Sequence, residues 1–262
     1  MVDWGFCLGL AGLVLSAAGC KFMPNEPYWI EGFGAGRAEH ISAWPGGALA
    51  IAPDALLYTY PGLWARPWVN HSGQQLRAVA GSNNTIYGVQ TDGRVARFIG
   101  GSWRAFAGSE AWGVSELGVT TDDRLLVVAA GKLREVEAEQ LKGEPCGELA
   151  IASVAAVSTN LAFVLEQTGA VRRVADGKCE PLETPAKMQR LAASAGRLLA
   201  VSVDGAVWRR RGDSPWVKLP VALKYRPGRH GAPVRAKEVA VSAYSTWLLD
   251  SDGSVFVLSD EA

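Results

Sequence analysis

The chain has 262 residues, enough for one large domain or two, and its 26 basic and 26 acidic side chains balance. No global field therefore directs it to nucleic acid or to an acidic partner. Thirty glycines, ten tryptophans and Val/Ala runs broken by Asp-Gly predict short strands and tight turns; few segments carry a helical period.

The first twenty residues, "MVDWGFCLGLAGLVLSAAGC", hold an apolar stretch of the length found in secretory signals, ending in small residues. It is short for a membrane span of about 20 residues. "LSAAGC" resembles a bacterial lipobox, and that resemblance implies that Cys20, preceded by Ala17, Ala18 and Gly19, is lipidated and becomes the mature N-terminus. Ala17 stands where a lipobox usually has Leu, and Asp3 is the only charge ahead of the apolar stretch. A plain cleaved signal and a mis-assigned start codon are the alternatives. Lys21 after the cysteine implies, by the same resemblance, delivery to the outer membrane. The expected organisation is a signal peptide over 1–19, a linker over 20–26 and a single domain over 27–262. With Cys7 in the signal and Cys20 lipidated, Cys146 and Cys179 remain. In an oxidising compartment these two could pair, or they could be buried thiols.

Beyond the linker the chain repeats itself. "VAGSNNTIYGVQTDGRVARFIGGSWRAF", "AAVSTNLAFVLEQTGAVRRVADGKCEPL", "LAASAGRLLAVSVDGAVWRRRGDSPWVKL" and "VAVSAYSTWLLDSDGSVFVL" share one pattern. A run of small apolar residues ends in Ser, and a turn, an alternating strand, a Gly turn and another strand follow. The spacing is eleven each time: Ser82 to Gly93, Ser158 to Gly169, Ser194 to Gly205, Ser242 to Gly253. Two looser copies place Ser42 before Pro53-Asp54 and Ser115 before Asp122-Asp123. Asp-Gly between alternating runs signals a hairpin, because the turn needs positive φ, which glycine adopts without a Cβ clash. Strand repeats about 40 residues long predict a β-propeller, with the small-residue strand innermost where blades converge.

A fourth strand is marked by Trp68, Trp103, Cys179 and Trp216, with Leu133 in the third unit. The last unit has none, whereas "EPYWIEGF" before the first unit matches "SPWVKL" in type. Trp29 therefore begins the missing strand. The fold predicted is an all-β, six-bladed propeller closed by an N-terminal strand that completes the last blade, leaving no exposed edge at the seam.

The unit of small residues with Ser, a strand, "DG.V", a strand and a "W" strand resembles tectonin repeats over roughly residues 27–260. That resemblance implies six-bladed propellers that include lectins binding lipopolysaccharide or modified glycans.

Propellers work through connecting loops. Two outer-to-inner connections are long, "EAEQLKGEPCGELA" (137–150) and "PVALKYRPGRHGAPVRAKE" (220–238), and both belong on the face that carries the Asp-Gly turns. The second is basic. Lys224, Tyr225, Arg226, Arg229, His230, Arg235 and Lys237 are its candidate ligand residues, for phosphate, carboxylate or an acidic protein. The first carries Glu137, Glu139, Glu144 and Glu148 and could attract the second across the face. Among tryptophans, Trp44, Trp64, Trp112 and Trp247 break the repeat and could stack on a ligand. His40, His71 and His230 lack metal-ligand spacing, and no cofactor motif occurs. No GxSxG, P-loop or HExxH is present, so no enzyme is expected. Two partners stay open, an envelope protein docked on the loop face or a surface glycan, with membrane attachment through Cys20.

Overall fold

A computed structural model describes residues 28–31, 37–44, 47–60, 69–71, 73–220, 234–242 and 245–259. The signal segment, Cys20, Trp64, Trp68 and the basic stretch from Lys224 to His230 lie outside them.

Strand β1 (Tyr28–Glu31) precedes the first blade, which holds β2 (His40–Trp44), β3 (Gly47–Ile51), β4 (Leu57–Tyr60) and β5 (Val69–His71). Blade 2 holds β6 (Leu76–Gly81), β7 (Ile86–Gln90), β8 (Val95–Ile99) and β9 (Ser102–Ala105). Blade 3 holds β10 (Val114–Val119), β11 (Leu125–Ala129), β12 (Lys132–Glu137) and β13 (Gln140–Lys142). Blade 4 holds β14 (Ile151–Ser158), β15 (Leu161–Glu166), β16 (Val171–Ala175) and β17 (Lys178–Leu182). Blade 5 holds β18 (Met188–Ser194), β19 (Arg197–Ser202), β20 (Val207–Arg211) and β21 (Val217–Leu219). Blade 6 holds β22 (Ala236–Val241), β23 (Thr246–Asp250) and β24 (Val255–Ser259).

Each blade is a four-stranded antiparallel sheet, and the sixth takes β1 as its outer strand, in the order β1-β24-β23-β22. Trp29 pairs with Leu258 and Ile30 with Val257, so both ends of the propeller share one sheet. The inner strands touch in ring order, with β22 against β2. This is the six-bladed propeller expected from the repeat.

The core divides as the ring does. Six buried clusters occupy the six junctions between neighbouring blades. At the seam, Trp247 of blade 6 is 1% exposed and meets Tyr60 of blade 1 edge-on at 5.3 Å.

The turn glycines also join the blades. Gly93, Gly169, Gly205 and Gly253 have φ between 83° and 94°, a region that β-carbon sterics deny to most residues. The carbonyl of the turn accepts an N–H at the start of the next blade's inner strand, from its first residue or, in blade 1, from two residues before it. The pairs are Ala38 to Gly253 (2.8 Å), Ile151 to Gly131 (2.8 Å), Met188 to Gly169 (3.0 Å) and Ala236 to Gly205 (3.2 Å). In blade 1, Ala55 takes the glycine's place with φ 63° and accepts from Leu76 at 2.7 Å. A Cβ on Gly205 would lie 2.4 Å from Arg235 Cγ, so the approach needs glycine as much as the dihedral does.

Blade 3 departs from the register expected of it. Asp122-Asp123 lies in the turn between its first and second strands, and Ala130-Gly131 fills the Asp-Gly place. Thr120, not Ser115, ends its inner strand, with Thr120 Oγ1 accepting from Arg124 N at 2.9 Å as Ser82 and Ser242 accept from their own turns. Leu133 lies on the third strand, and the fourth is β13, carrying Leu141. The true connection to blade 4 is therefore 143–150. In blade 1, Trp44 rather than Ser42 ends the inner strand.

Candidate functional site at the channel mouth

The six inner strands enclose an axial channel of about 250 Å³. Five of them begin with a β-bulge at the same place, between Leu76/Ala78, Val114/Glu116, Ile151/Ser153, Met188/Arg190 and Ala236/Glu238. A bulge bends the strand and re-aims the side chain that follows it. In blade 1 the latch on Ala38 sets the register, so His40 is the equivalent position. The ring just past the bulges reads, in blade order, His40, Ala78, Glu116, Ser153, Arg190, Glu238.

Two residues further along, the ring is Ser42, Ala80, Gly118, Ala155, Ala192 and Ala240, all small, as convergence on the axis demands. A Cβ at Gly118 would approach the Ala156 backbone nitrogen at 3.2 Å, so even alanine is crowded in blade 3. Inner strands run away from the face that holds the Gly turns and the outer-to-inner connections. The charged ring therefore sits at the loop-face end of the channel.

Three of its charges form one cluster across blades 5, 6 and 1. Glu238 Oε2 lies 3.1 Å from His40 Nδ1 and accepts the Ile41 N–H at 2.9 Å. Arg190 Nε approaches Glu238 Oε1 at 3.4 Å and Arg190 Nη1 donates to the Gln189 carbonyl at 3.1 Å. Burial alone would push the His40 pKa down. The Glu238 carboxylate overcomes that, with further help from Glu116 and the Val79 carbonyl, and raises it to about 9. Burial likewise pushes Glu238 up, and His40, the Ile41 amide and Arg190 outweigh it, holding the carboxyl at about 2. Both groups are charged at neutral pH.

Glu116, on blade 3, faces Glu238 on blade 6 across the six-fold ring. Burial raises its pKa above the usual carboxylate range, and Glu238 adds to the rise against the pull of His40 and Arg190. It has no hydrogen-bond donor among the described residues.

The expected site residues fare unequally. Lys237 and Arg235 flank the first residue of β22, and Lys237 Nζ donates to the Glu39 carbonyl at 2.8 Å, tying blade 6 to blade 1 at the mouth. Trp112 ends a short 3-10 turn (Ser109–Trp112) on the loop face, half-buried against Phe106. Trp247 is buried at the seam and offers no surface to a ligand, because its position on β23 points into the blade junction. Three of the four acids of the acidic connection are paired within their own blade: Glu144 with Arg134, Glu148 with Lys132 at 2.8 Å and Glu137 with Lys142 at 3.3 Å. That connection is thus not a free acidic patch drawn to the basic connection. Cys146, on that connection, is joined to Cys179 of β17 in a disulfide, with Cα atoms 5.2 Å apart. Among the described residues no group of His, Cys, Asp and Glu has metal-binding geometry.

The charged ring itself is what sequence reasoning missed. His40 lacks metal-ligand spacing and Glu238 falls at the end of the basic connection, so neither stands out in the sequence. The signal existed: "RLAAS", "EVAVS" and "ELGVT" each open with a charged residue four places before the terminal hydroxyl.

The fold places the molecule among six-bladed β-propellers. No protein-family model and no curated protein matches the chain. Solved structures do. One is YCF48 bound to a D1 peptide, with 12% identity and a TM-score of 0.56 over 86% of this chain and 79% of that one. Another is PorZ of Porphyromonas gingivalis, described as an essential bacterial surface component of the type-IX secretion system, with 12% identity and a TM-score of 0.54. That match spans 89% of this chain and 38% of PorZ. At such identity the likeness is one of fold.

Proposed function

We propose that the chain is a non-enzymatic module of the bacterial cell envelope, anchored to the outer membrane by lipidated Cys20, that docks a protein partner on its loop face. One observation carries the reading. The six equivalent positions at the channel mouth bear six side chains of which only two, Glu116 and Glu238, are alike, and those two have different surroundings. A tectonin-type lectin, the alternative, uses a pocket repeated from blade to blade. A single asymmetric mouth suits a single asymmetric partner. The Cys146–Cys179 disulfide accords with an exported protein. The two structural neighbours, one solved with a peptide and one described as a surface secretion component, support the same class of role.

Crosslinking in cells followed by identification of the captured species is the test. The expected product is one dominant envelope protein, crosslinked through the loop face. Saturable glycan-array binding by the protein lacking residues 1–20, retained after deletion of 224–237, would instead establish the lectin. The anchor is tested separately. Cys20→Ser should abolish lipid labelling and leave the apolar signal uncleaved; a variant still processed to the parent's size, or a parent that takes up no lipid label, would refute lipidation.

A further inference from the structure

Two cations and two carboxylates form the mouth ring, and they are not equally committed. Glu238 spends its oxygens on His40, the Ile41 amide and Arg190. His40 is held by Glu238 through one ring nitrogen and by the Val79 carbonyl besides. Arg190 is engaged by Glu238 and by the Gln189 carbonyl. Of these four charged groups, Glu116 is left with acceptor capacity and no donor among the described residues.

Its neighbours in the ring leave room for a visitor. Ser153 follows it on blade 4 and lines the channel with a small side chain, while Ala78 on blade 2 packs into the junction with blade 3, so neither fills the space beside the carboxyl. Below it the waist is narrowest in side chain at Gly118, between Ala80 and Ala155. The mouth is thus lopsided, lined by a paired charge cluster over blades 5, 6 and 1 and by small side chains around a single carboxyl over blades 2, 3 and 4.

Building on the docking reading, we propose that this gap receives a lysine or arginine side chain of the partner protein, with the Glu116 carboxylate as its acceptor. An anion entering there would meet two carboxylates, while the nearby cations already have counterions. A neutral donor would leave the cost of holding a half-buried carboxylate largely in place. A cation removes that cost by forming a charge-assisted hydrogen bond where water is sparse. Burial and Glu238 both oppose ionisation of Glu116, so the visiting cation also draws the carboxyl into its charged form. A metal ion would need further ligands, and none converge with Glu116 among the described residues.

The experiment pans a synthetic, N-acetylated and C-amidated random decapeptide library against the protein lacking residues 1–20 and against its Glu116→Gln variant. The expected result is enrichment of Lys or Arg at one peptide position with the parent protein, lost with the variant. A selected peptide resynthesised with that residue should bind Glu116→Gln about tenfold more weakly, the loss of one hydrogen bond to a charged group. Glutamine is isosteric and relieves a buried charge, so the variant should melt no lower than the parent at pH 7.5. Peptides selected without a basic position, or bound equally by the variant, overturn this inference and leave the docking reading standing. Selection of no peptide together with loss of the cellular crosslink overturns both.

Discussion

Glu238→Ala should lower the unfolding free energy by about 3–5 kcal/mol, the cost of breaking a buried ion pair by removing one partner. The loss exceeds that of a surface pair because three donors lose their shared carboxylate at once. The imidazolium of His40, the Ile41 amide and Arg190 all converge on this carboxylate. Its pH dependence carries a signature. The His40 pKa is raised from 6.5 to about 9, so the stability it adds is full below 6.5 and is lost as pH rises through 9. The Glu238 pKa is depressed from 4.5 to about 2, so its share is full above 4.5 and is lost as pH falls through 2. These are one interaction seen from its two ends and count once. The difference between parent and variant should therefore be widest from about pH 4.5 to 6.5 and narrow on either side. Urea unfolding at a series of pH values reads it, and a gap that stays constant to pH 10 would contradict the assignment. In the variant His40 keeps its burial without its main counterion and should titrate well below 9 by NMR.

Replacing Cys146 and Cys179 by serine should cost about 3–4 kcal/mol, the chain entropy of the opened loop in the denatured state. The bond spans 33 residues and ties the connection leaving blade 3 to the outer strand of blade 4. It does more than shorten the unfolded chain, since Cys146 and Cys179 both pack on the apolar cluster between those blades. The same destabilisation should follow reduction of the parent protein with dithiothreitol, and the double variant should be insensitive to the reagent. A parent protein whose melting temperature ignores reduction would show that the bond does not form in solution.

Much of the architecture was legible because propeller geometry writes itself into short-range chemistry. The positive φ at Gly93, Gly169, Gly205 and Gly253 demands glycine, and convergence on the axis demands Ala and Gly in the inner strands. Those two demands recur from blade to blade, with Ala55 standing in for the glycine in blade 1, and a recurring demand becomes a repeat. The pairing of Trp29 with Leu258 could be inferred from what the last unit lacked. Blade 3 misled for a physical reason. Its inner strand carries Ser115 at the bulge, where a serine mimics the strand-ending hydroxyl, and Asp122-Asp123 mimics the Gly turn one hairpin too early. Trp112 and Trp247 looked alike as breaks in the pattern, yet one caps a surface turn and the other fills the seam.

By itself, then, the sequence determined the number of blades, most of the turn positions and the small-residue axis, each set by dihedral or steric needs within about 40 residues, and it located the closing strand through what the last unit lacked. Only the tertiary structure decided that His40, Arg190 and Glu238 form one cluster with Glu116 facing it. Those residues lie up to 198 positions apart and meet because successive bulges aim side chains from different blades at one mouth. Charge pairing between blades leaves no periodic trace, for each partner answers to a different neighbour.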